Sequence, residues 1–179
     1  MNESFTTAAW RVVVFMTVCI LAWAPAAPAA AQLVLPGATD LAASGRAIAE
    51  DDAPLVVLYS QEGCSWCDLA RTHLVPMSRD AEVGARFAQI DIDRNTPLLD
   101  FAGRRTTHRG FARDEGVRFT PMLVIYGPSG ERLTEPVVGM GAVDFYGDQV
   151  IKAIDEARAR LAANRMQSAA LQTAPASRR

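Results

Sequence analysis

The feature that most constrains this chain is a continuous apolar run leading directly into two closely spaced cysteines. Residues Pro54–Tyr59 contain no charged side chain, as expected for a strand that is buried on both faces. The turn-like segment Ser60–Gly63 follows, and Cys64 comes immediately after it. From Ser65 to about Arg79 the apolar positions recur at the helical period, at Cys67, Ala70, Leu74 and Met77. The sequence therefore places both cysteines where a buried strand passes into a helix.

Further helices and strands alternate on both sides of this junction. Asp40 is a suitable cap for a helix from Leu41 to about Glu50, and residues 85–92 alternate like a strand. Pro76 should kink the cysteine-containing helix or end it early. A long connection follows residue 92. Its segment 94–106 could be a surface for a partner, although we favour a plain loop.

The second half of the chain repeats the alternation and then turns back. Thr106 or Thr107 could cap a short helix that ends near Gly116, and Phe119–Tyr126 is a second apolar strand. Residues 127–130 are a strong turn signal, so residues 132–138 should return as an antiparallel strand. Asp144 should cap a last helix whose apolar face ends at Leu161. This order predicts an α/β fold with a mixed central sheet, in which parallel strands and a C-terminal antiparallel hairpin are flanked by helices.

The first 31 residues have the pattern of a secretory signal peptide. Arg11 precedes an uncharged run from Val12 to Ala24, which is shorter than the ~20 residues that a membrane-spanning helix needs, and small residues follow at Ala29 and Ala31. An uncleaved membrane anchor is the alternative. We expect residues 1–31 to be removed, residues 32–39 to form an extended leader, residues 40–162 to form the domain and residues 163–179 to be a flexible tail. The expected location is the periplasm.

Cleavage would remove Cys19 and leave Cys64 and Cys67 as the two cysteines. A disulfide between them closes a ring of four residues, which restrains an unfolded chain very little. The pair therefore suits redox chemistry better than structural crosslinking. At the start of a helix the pKa of a thiol falls from ~8.5 to between about 3.5 and 7.5, and the thiolate is the attacking form. We expect Cys64 to be the exposed nucleophile and the more buried Cys67 to complete the exchange.

These motifs resemble the thioredoxin superfamily over roughly residues 40–162. The segment Leu55–Cys67 resembles the active-site segment of that family, Gly116–Tyr126 resembles its cis-proline segment, and Val138–Gly139 with the last helix resembles its closing elements. The resemblance is strongest to exported bacterial thioredoxin-related proteins, including the SoxW-like group. It implies that the Thr120–Pro121 bond is cis, that Pro121 packs against the cysteines and that the backbone of Thr120 pairs with a substrate chain.

The resemblance also implies an activity. It indicates a protein-disulfide oxidoreductase that acts on protein thiols and disulfides and receives electrons from a membrane thiol-transfer protein. We expect it to use no cofactor beyond its own Cys64–Cys67 disulfide, and a monomer is the default expectation. Reduction is the favoured direction, with a periplasmic oxidant or isomerase and a non-catalytic binding module as alternatives. Trp66, between the cysteines, is expected to contact substrate, although ordinary partial burial is an equal alternative.

The chain departs from the family at a buried ion pair beneath the cysteines. Leu58 stands where many thioredoxins have a buried acid, and Gln89 stands where they have its lysine partner. Losing both members avoids leaving one buried charge unpaired. Glu62 and Asp68 are then the nearby candidates to take the proton of Cys67, although we favour the interpretation that both are surface acids or helix-start residues.

Two other classes of function fit the sequence less well. A zinc site would need Cys64, Cys67, His73 and His108, but the spacing offers no second close pair of ligands, and we expect both histidines at the surface. The net charge is −2 and there is no polybasic block, so nucleic acid is not an expected partner.

Overall fold

The computed structural model describes residues 33–173, which contain one mixed four-stranded sheet, a separate two-stranded hairpin and four α-helices. The helices are α1 (Leu41–Asp51), α2 (Ser65–Arg79), α3 (His108–Asp114) and α4 (Tyr146–Thr173). The strands are β1 (Leu55–Ser60), β2 (Arg86–Asp91), β3 (Pro97–Leu99), β4 (Arg105–Thr107), β5 (Met122–Tyr126) and β6 (Val137–Val138). Short 3₁₀ turns at Ala81–Val83 and Val143–Phe145 complete the order.

The main sheet has the strand order β2-β1-β5-β6. Strands β1 and β2 run parallel, whereas β5 is antiparallel to both β1 and β6. Every residue of β1 is buried, so the run that the sequence marks as a strand covered on both faces is the centre of the molecule. The predicted α/β fold, with a mixed central sheet and flanking helices, is confirmed.

The antiparallel return is shorter than predicted. Within residues 132–138 only Val137 and Val138 form a strand, and a single bridge joins Arg132 to Tyr126. Pro136 separates these two contacts, and a proline has no N–H to donate to a ladder. The apolar run from Phe119 also enters its strand late, at Met122, because Pro121 cannot donate either.

The segment 94–106 is not the plain loop that we expected. It contains β3 and the beginning of β4, which pair with each other from Pro97–Thr107 to Leu99–Arg105. Leu98 is buried, and the Leu99 N–H donates to the carbonyl of Thr39 at 2.9 Å. The hairpin is therefore attached to the chain that precedes α1.

Helix α2 does not end early at Pro76 but continues to Arg79. The helix starts predicted at Asp40 and Thr107 are confirmed: the Asp40 carboxylate accepts from the Ala43 N–H at 2.7 Å, and the Thr107 hydroxyl accepts from the Gly110 N–H at 3.1 Å. Each side chain satisfies a donor that a helix start leaves unpaired.

The last helix differs from the prediction at both ends. Asp144 lies inside the 3₁₀ turn rather than at the cap of α4, which begins at Tyr146. At the other end the helix runs to Thr173, so residues 163–173 of the predicted tail are helical. Alanine, glutamine and arginine are strong helix formers, which favours this extension without an apolar face. The predicted signal peptide and residues 174–179 lie outside the described residues.

No helix between residues 33 and 173 combines the length and apolar character that a membrane crossing requires.

Candidate functional site

The cysteines lie at the strand-to-helix junction that the sequence indicates. Strand β1 ends at Ser60, a short turn follows, and Gly63 takes the positive φ of 70° that suits a residue without a side chain. Cys64 is the N-cap of α2 and has an extended backbone. Its Sγ accepts from the Cys67 N–H at 3.1 Å, and its carbonyl accepts from the N–H groups of Cys67 and Asp68 at 3.0 and 3.1 Å. The Cys64 sulfur therefore sits where the helix dipole and free N–H groups favour negative charge.

Cys64 and Cys67 form a disulfide, with an S–S distance of 2.11 Å and a Cα–Cα distance of 5.2 Å. Cys67 is 0 % exposed, while Cys64 is only half-buried. Solvent and large molecules therefore reach the sulfur of Cys64 first. The arrangement allows an external thiol to attack Cys64, with Cys67 retained beneath it.

The Thr120–Pro121 segment meets the cysteines although 56 positions separate Thr120 from Cys64. The peptide bond between Thr120 and Pro121 is cis, and the Thr120 hydroxyl donates to the Cys64 Sγ at 3.6 Å. Pro121 is buried, and its carbonyl accepts from the Gly139 N–H at 2.8 Å. That bond joins the segment to the chain just after β6. The fold thus brings Cys64, Cys67, Thr120 and Pro121 to one place.

Large apolar side chains are exposed next to these residues. Trp66 is 55 % exposed, Phe119 is 67 % exposed and Val138 is 56 % exposed. Phe119 directly precedes Thr120, and Val138 pairs in register with Met122, the residue after Pro121. We call Trp66, Phe119 and Val138 the apolar rim. Sequence reasoning identified only Trp66 of these, because Phe119 was assigned to the buried strand.

A polar network occupies the position between α2 and the parallel strands. The Arg71 guanidinium donates to the Ser60 hydroxyl and to the Gln89 side-chain oxygen, both at 3.0 Å, and it also pairs with Asp68. Gln89 in turn donates to the Asp91 carboxylate at 2.7 Å. Sequence reasoning missed Arg71. Its position one helical turn after Cys67 was the available signal, since residues four apart share a helix face.

Leu58 and Gln89 occupy the two positions of the missing ion pair. Leu58 is fully buried and lies opposite Gln89 in the β1–β2 register. The two acids proposed near Cys67 are largely exposed and each is held by an arginine. Asp68 pairs with Arg71, and Glu62 pairs with Arg94 at 3.1 Å.

The four residues of the hypothetical zinc site are engaged elsewhere. The cysteines are bonded to each other, and His73 contacts the ring of Tyr146 edge-on at 5.6 Å. The expectation of a surface position is wrong for His108, which is buried. Its Nδ1 accepts from the Asp91 N–H at 3.1 Å, so Nε2 carries the proton and donates to the Ala38 carbonyl at 2.7 Å. In residues 33–173 no group of three or more His, Cys, Asp or Glu side chains could hold a metal ion.

Comparison with solved structures finds thioredoxins among the similar chains. Oxidised mitochondrial thioredoxin 3 from Saccharomyces cerevisiae is 19 % identical, with a TM-score of 0.46 over 66 % of this chain and 93 % of that one. Thioredoxin from Fasciola hepatica is 16 % identical, with a TM-score of 0.44 over 66 % and 97 % of the two chains. Thioredoxin f2 from Chlamydomonas reinhardtii is 15 % identical, with a TM-score of 0.45 over 67 % and 95 %. No protein-family model matches the sequence, and no curated protein matches it either.

Proposed function

We propose that this chain is a thiol-disulfide oxidoreductase that reduces disulfides of exported proteins through Cys64 and Cys67. The observation that carries the proposal is the arrangement of the two sulfur atoms. Cys64 is reachable at the start of α2, and the buried Cys67 is already close enough to bond to it. Such a pair can accept a disulfide from another protein and close it internally.

The reaction follows from this geometry. In the reduced protein the Cys64 thiolate attacks one sulfur of the client disulfide, that S–S bond breaks, and the departing client thiolate takes up a proton. Cys67 then loses its proton and attacks the Cys64 sulfur of the mixed disulfide. The second client thiolate leaves, so the client gains two electrons and two protons while the Cys64–Cys67 disulfide forms.

The surroundings of Cys64 support a protein-sized substrate. The apolar rim offers exposed side chains for an extended client segment, and Thr120 lies against the Cys64 sulfur, where the resemblance implies that its backbone pairs with such a segment. Trp66 is proposed to contact the client. A second protein with a thiol pair must reduce the Cys64–Cys67 disulfide after each cycle, and the proposed donor is a membrane thiol-transfer protein.

The proposed location is the periplasm, and the support for it is the signal-like pattern of residues 1–31 together with the redox use of both remaining cysteines. The proposal includes a monomer that uses no cofactor apart from its own disulfide.

Two cysteine variants test the activity. Cys64→Ser should abolish reduction of insulin disulfides, because the attacking sulfur is gone. Cys67→Ser should accumulate mixed disulfides with clients, because nothing releases the bond to Cys64. Met166→Ser is the matched control, since it also exchanges a sulfur side chain for serine, at an exposed position on α4. Activity of Cys64→Ser equal to that of the control would refute the proposal.

The direction of the reaction is tested by the reduction potential against glutathione. The reduction potential of a reductant should be about −270 mV, whereas that of a strong oxidant is about −120 mV. A value at the oxidising end would replace the proposed reductase with the alternative oxidant or isomerase, while leaving the roles of both cysteines intact.

A further inference from the structure

A cleft of about 340 Å³ lies where α3 meets the segment leading to Thr120. Its floor is apolar and its rim carries three arginines. The floor contains Ile92, Ala112 and Val117, and the rim contains Arg109, Arg113 and Arg118. No carboxylate is among the lining residues of this cleft, which we call the arginine cleft.

The positive charge at the rim is only partly compensated. Among the ion pairs of residues 33–173, neither Arg109 nor Arg118 pairs with a carboxylate. The Arg109 guanidinium donates to the Asp93 carbonyl, which is neutral. Arg113 pairs with Asp114 at 2.9 Å, but both side chains are largely exposed, so that contact is weak.

Two acids lie near the cleft. The Glu115 carboxylate accepts from Tyr126 and Arg132. One oxygen of the Asp93 carboxylate accepts from the Glu62 N–H at 3.0 Å, and its other oxygen is buried with no hydrogen-bond partner among the described residues. The cleft therefore combines an apolar floor with two arginines, Arg109 and Arg118, that form no ion pair within residues 33–173, which suits an acidic group on a short hydrocarbon stem.

The position of the cleft relates it to the disulfide. Arg118 is two residues before Thr120, whose hydroxyl lies 3.6 Å from the Cys64 sulfur. Two residues of extended chain span at most about 7 Å. A client segment whose cysteine reaches Cys64 would thus bring a side chain only a few positions away to Arg118, across the exposed ring of Phe119.

We propose that the arginine cleft binds an acidic side chain of the client protein, placed about three residues from the client cysteine. The assignment rests on the proposed function for its biological meaning, since it makes the cleft a determinant of which disulfides are reduced. Glutamate fits the cleft better than aspartate, because its longer stem can lie on the apolar floor.

Binding tests the cleft without any turnover. The probes are fluorescent peptides in which serine replaces the client cysteine, with glutamate or glutamine three residues to either side. Against the oxidised protein, the better glutamate peptide should bind about fivefold more tightly than its glutamine counterpart at low salt. Added NaCl should reduce the difference, because exposed charges are screened.

Arg118→Ala should bring the two affinities together while leaving the glutamine peptide unchanged. Arg160→Ala is the charge-matched control, because it removes one arginine from the exposed side of α4. Equal binding of glutamate and glutamine peptides by the unaltered protein would overturn the assignment. So would an equal loss of preference in Arg118→Ala and Arg160→Ala.

Turnover of the corresponding disulfide peptides separates this inference from the proposed function. Reduction of both peptides with no glutamate preference, in KM or in binding, would reject the cleft and leave the reductase activity standing. A glutamate preference in binding, with no reduction of either peptide, would support the cleft and reject the activity.

Discussion

Arg71 shows how a single residue joins the cysteine-containing helix to the sheet. Its guanidinium reaches the Ser60 hydroxyl at the end of β1 and the Gln89 amide on β2, both at 3.0 Å. Ser60 is almost completely buried, and a buried polar group without a partner is costly. The spacing from Cys67 marks Arg71 as a neighbour of the site, but its partners lie on two different strands. The sequence alone therefore could not predict this network.

Arg71→Ala should lower the free energy of unfolding by about 1–3 kcal/mol, because Ser60 and Gln89 would lose their shared donor while remaining in place. Urea denaturation followed by circular dichroism measures the change. Arg94→Ala is the matched control, since its pair with Glu62 is exposed and should contribute much less. Equal losses in the two variants would mean that the buried hydrogen bonds of Arg71 add no stability.

Unlike Ser60, Tyr146 has a buried polar group without a hydrogen-bond partner in the described part of the chain. The residue is 1 % exposed, and among the described residues its hydroxyl has no hydrogen-bond partner. Burial raises the pKa of Tyr146 to about 12, because an ionised phenolate would lose its solvation. The native state therefore holds this proton at a pH where the unfolded chain, with an ordinary tyrosine pKa of about 10, releases it.

Tyr146→Phe should raise the free energy of unfolding by about 1 kcal/mol at neutral pH, because it removes an unpaired buried hydroxyl and keeps the ring. The advantage should grow above pH 10. There the unfolded wild-type chain loses the Tyr146 proton while the folded chain keeps it, so wild-type stability falls by up to roughly 1.4 kcal/mol per pH unit until about pH 12. Urea denaturation at pH 7, 9 and 11 measures both effects. A difference between the two proteins that is independent of pH would contradict the raised pKa.

At the scale of elements, the long ones were predictable and the short ones were not. Helix α2 and strand β1 repeat their patterns over enough residues to be recognised, and their junction fixes Cys64. Strands β3 and β4 have three residues each, which is too few for alternation to show. What holds this hairpin is tertiary: Leu99 bonds to Thr39, and the buried Leu98 packs in the core.

Helix α1 packs closely on the turn after β5, and Gly45 makes this possible. A Cβ on Gly45 would lie 2.2 Å from the carbonyl oxygen of Pro128, which belongs to the backbone and cannot rotate away. Gly45→Ala should therefore lower the free energy of unfolding by about 1–3 kcal/mol, although alanine is the better helix former.

The control for Gly45→Ala is Gly37→Ala, where an added Cβ meets nothing within 4 Å. That variant should be neutral or slightly stabilising, because alanine reduces the freedom of the unfolded chain. Thermal and urea denaturation of both variants provide the comparison. A stabilised Gly45→Ala protein would show that α1 can move off the turn at little cost.

At the scale of the whole molecule, the segment expected to be an extended leader is part of the folded structure. The N–H of Gln89 donates to the Pro36 carbonyl at 2.8 Å, and the Ala38 N–H donates to the Gln89 carbonyl at 2.9 Å. His108, the first residue of α3, donates from Nε2 to the Ala38 carbonyl. This segment therefore continues the sheet beyond β2 and connects it to α3.

The site and the leader differ in how far their contacts reach along the chain. The capping of α2 by Cys64 depends on residues within one turn, so the sequence could predict it. The meeting of Thr120 with Cys64 was expected only through the resemblance, because it depends on residues 56 positions apart. The leader and the arginine cleft had no such precedent, and their partners come from distant elements that no local pattern identifies.

The role of the leader is tested by two leucines that are two positions apart. Leu35 is 2 % exposed and belongs to the core, whereas Leu33 is 45 % exposed. Leu35→Ala should lower the free energy of unfolding by about 2–5 kcal/mol, because it leaves a cavity where the leader meets the sheet. Leu33→Ala should change it by less than about 0.5 kcal/mol. Hydrogen exchange of the Gln89 amide adds a local measurement, since its acceptor is in the leader: exchange should accelerate in Leu35→Ala and stay slow in Leu33→Ala. If both variants matched the wild type in stability and in Gln89 protection, residues 33–39 would not be contributing to the folded domain, and the sheet would end at β2.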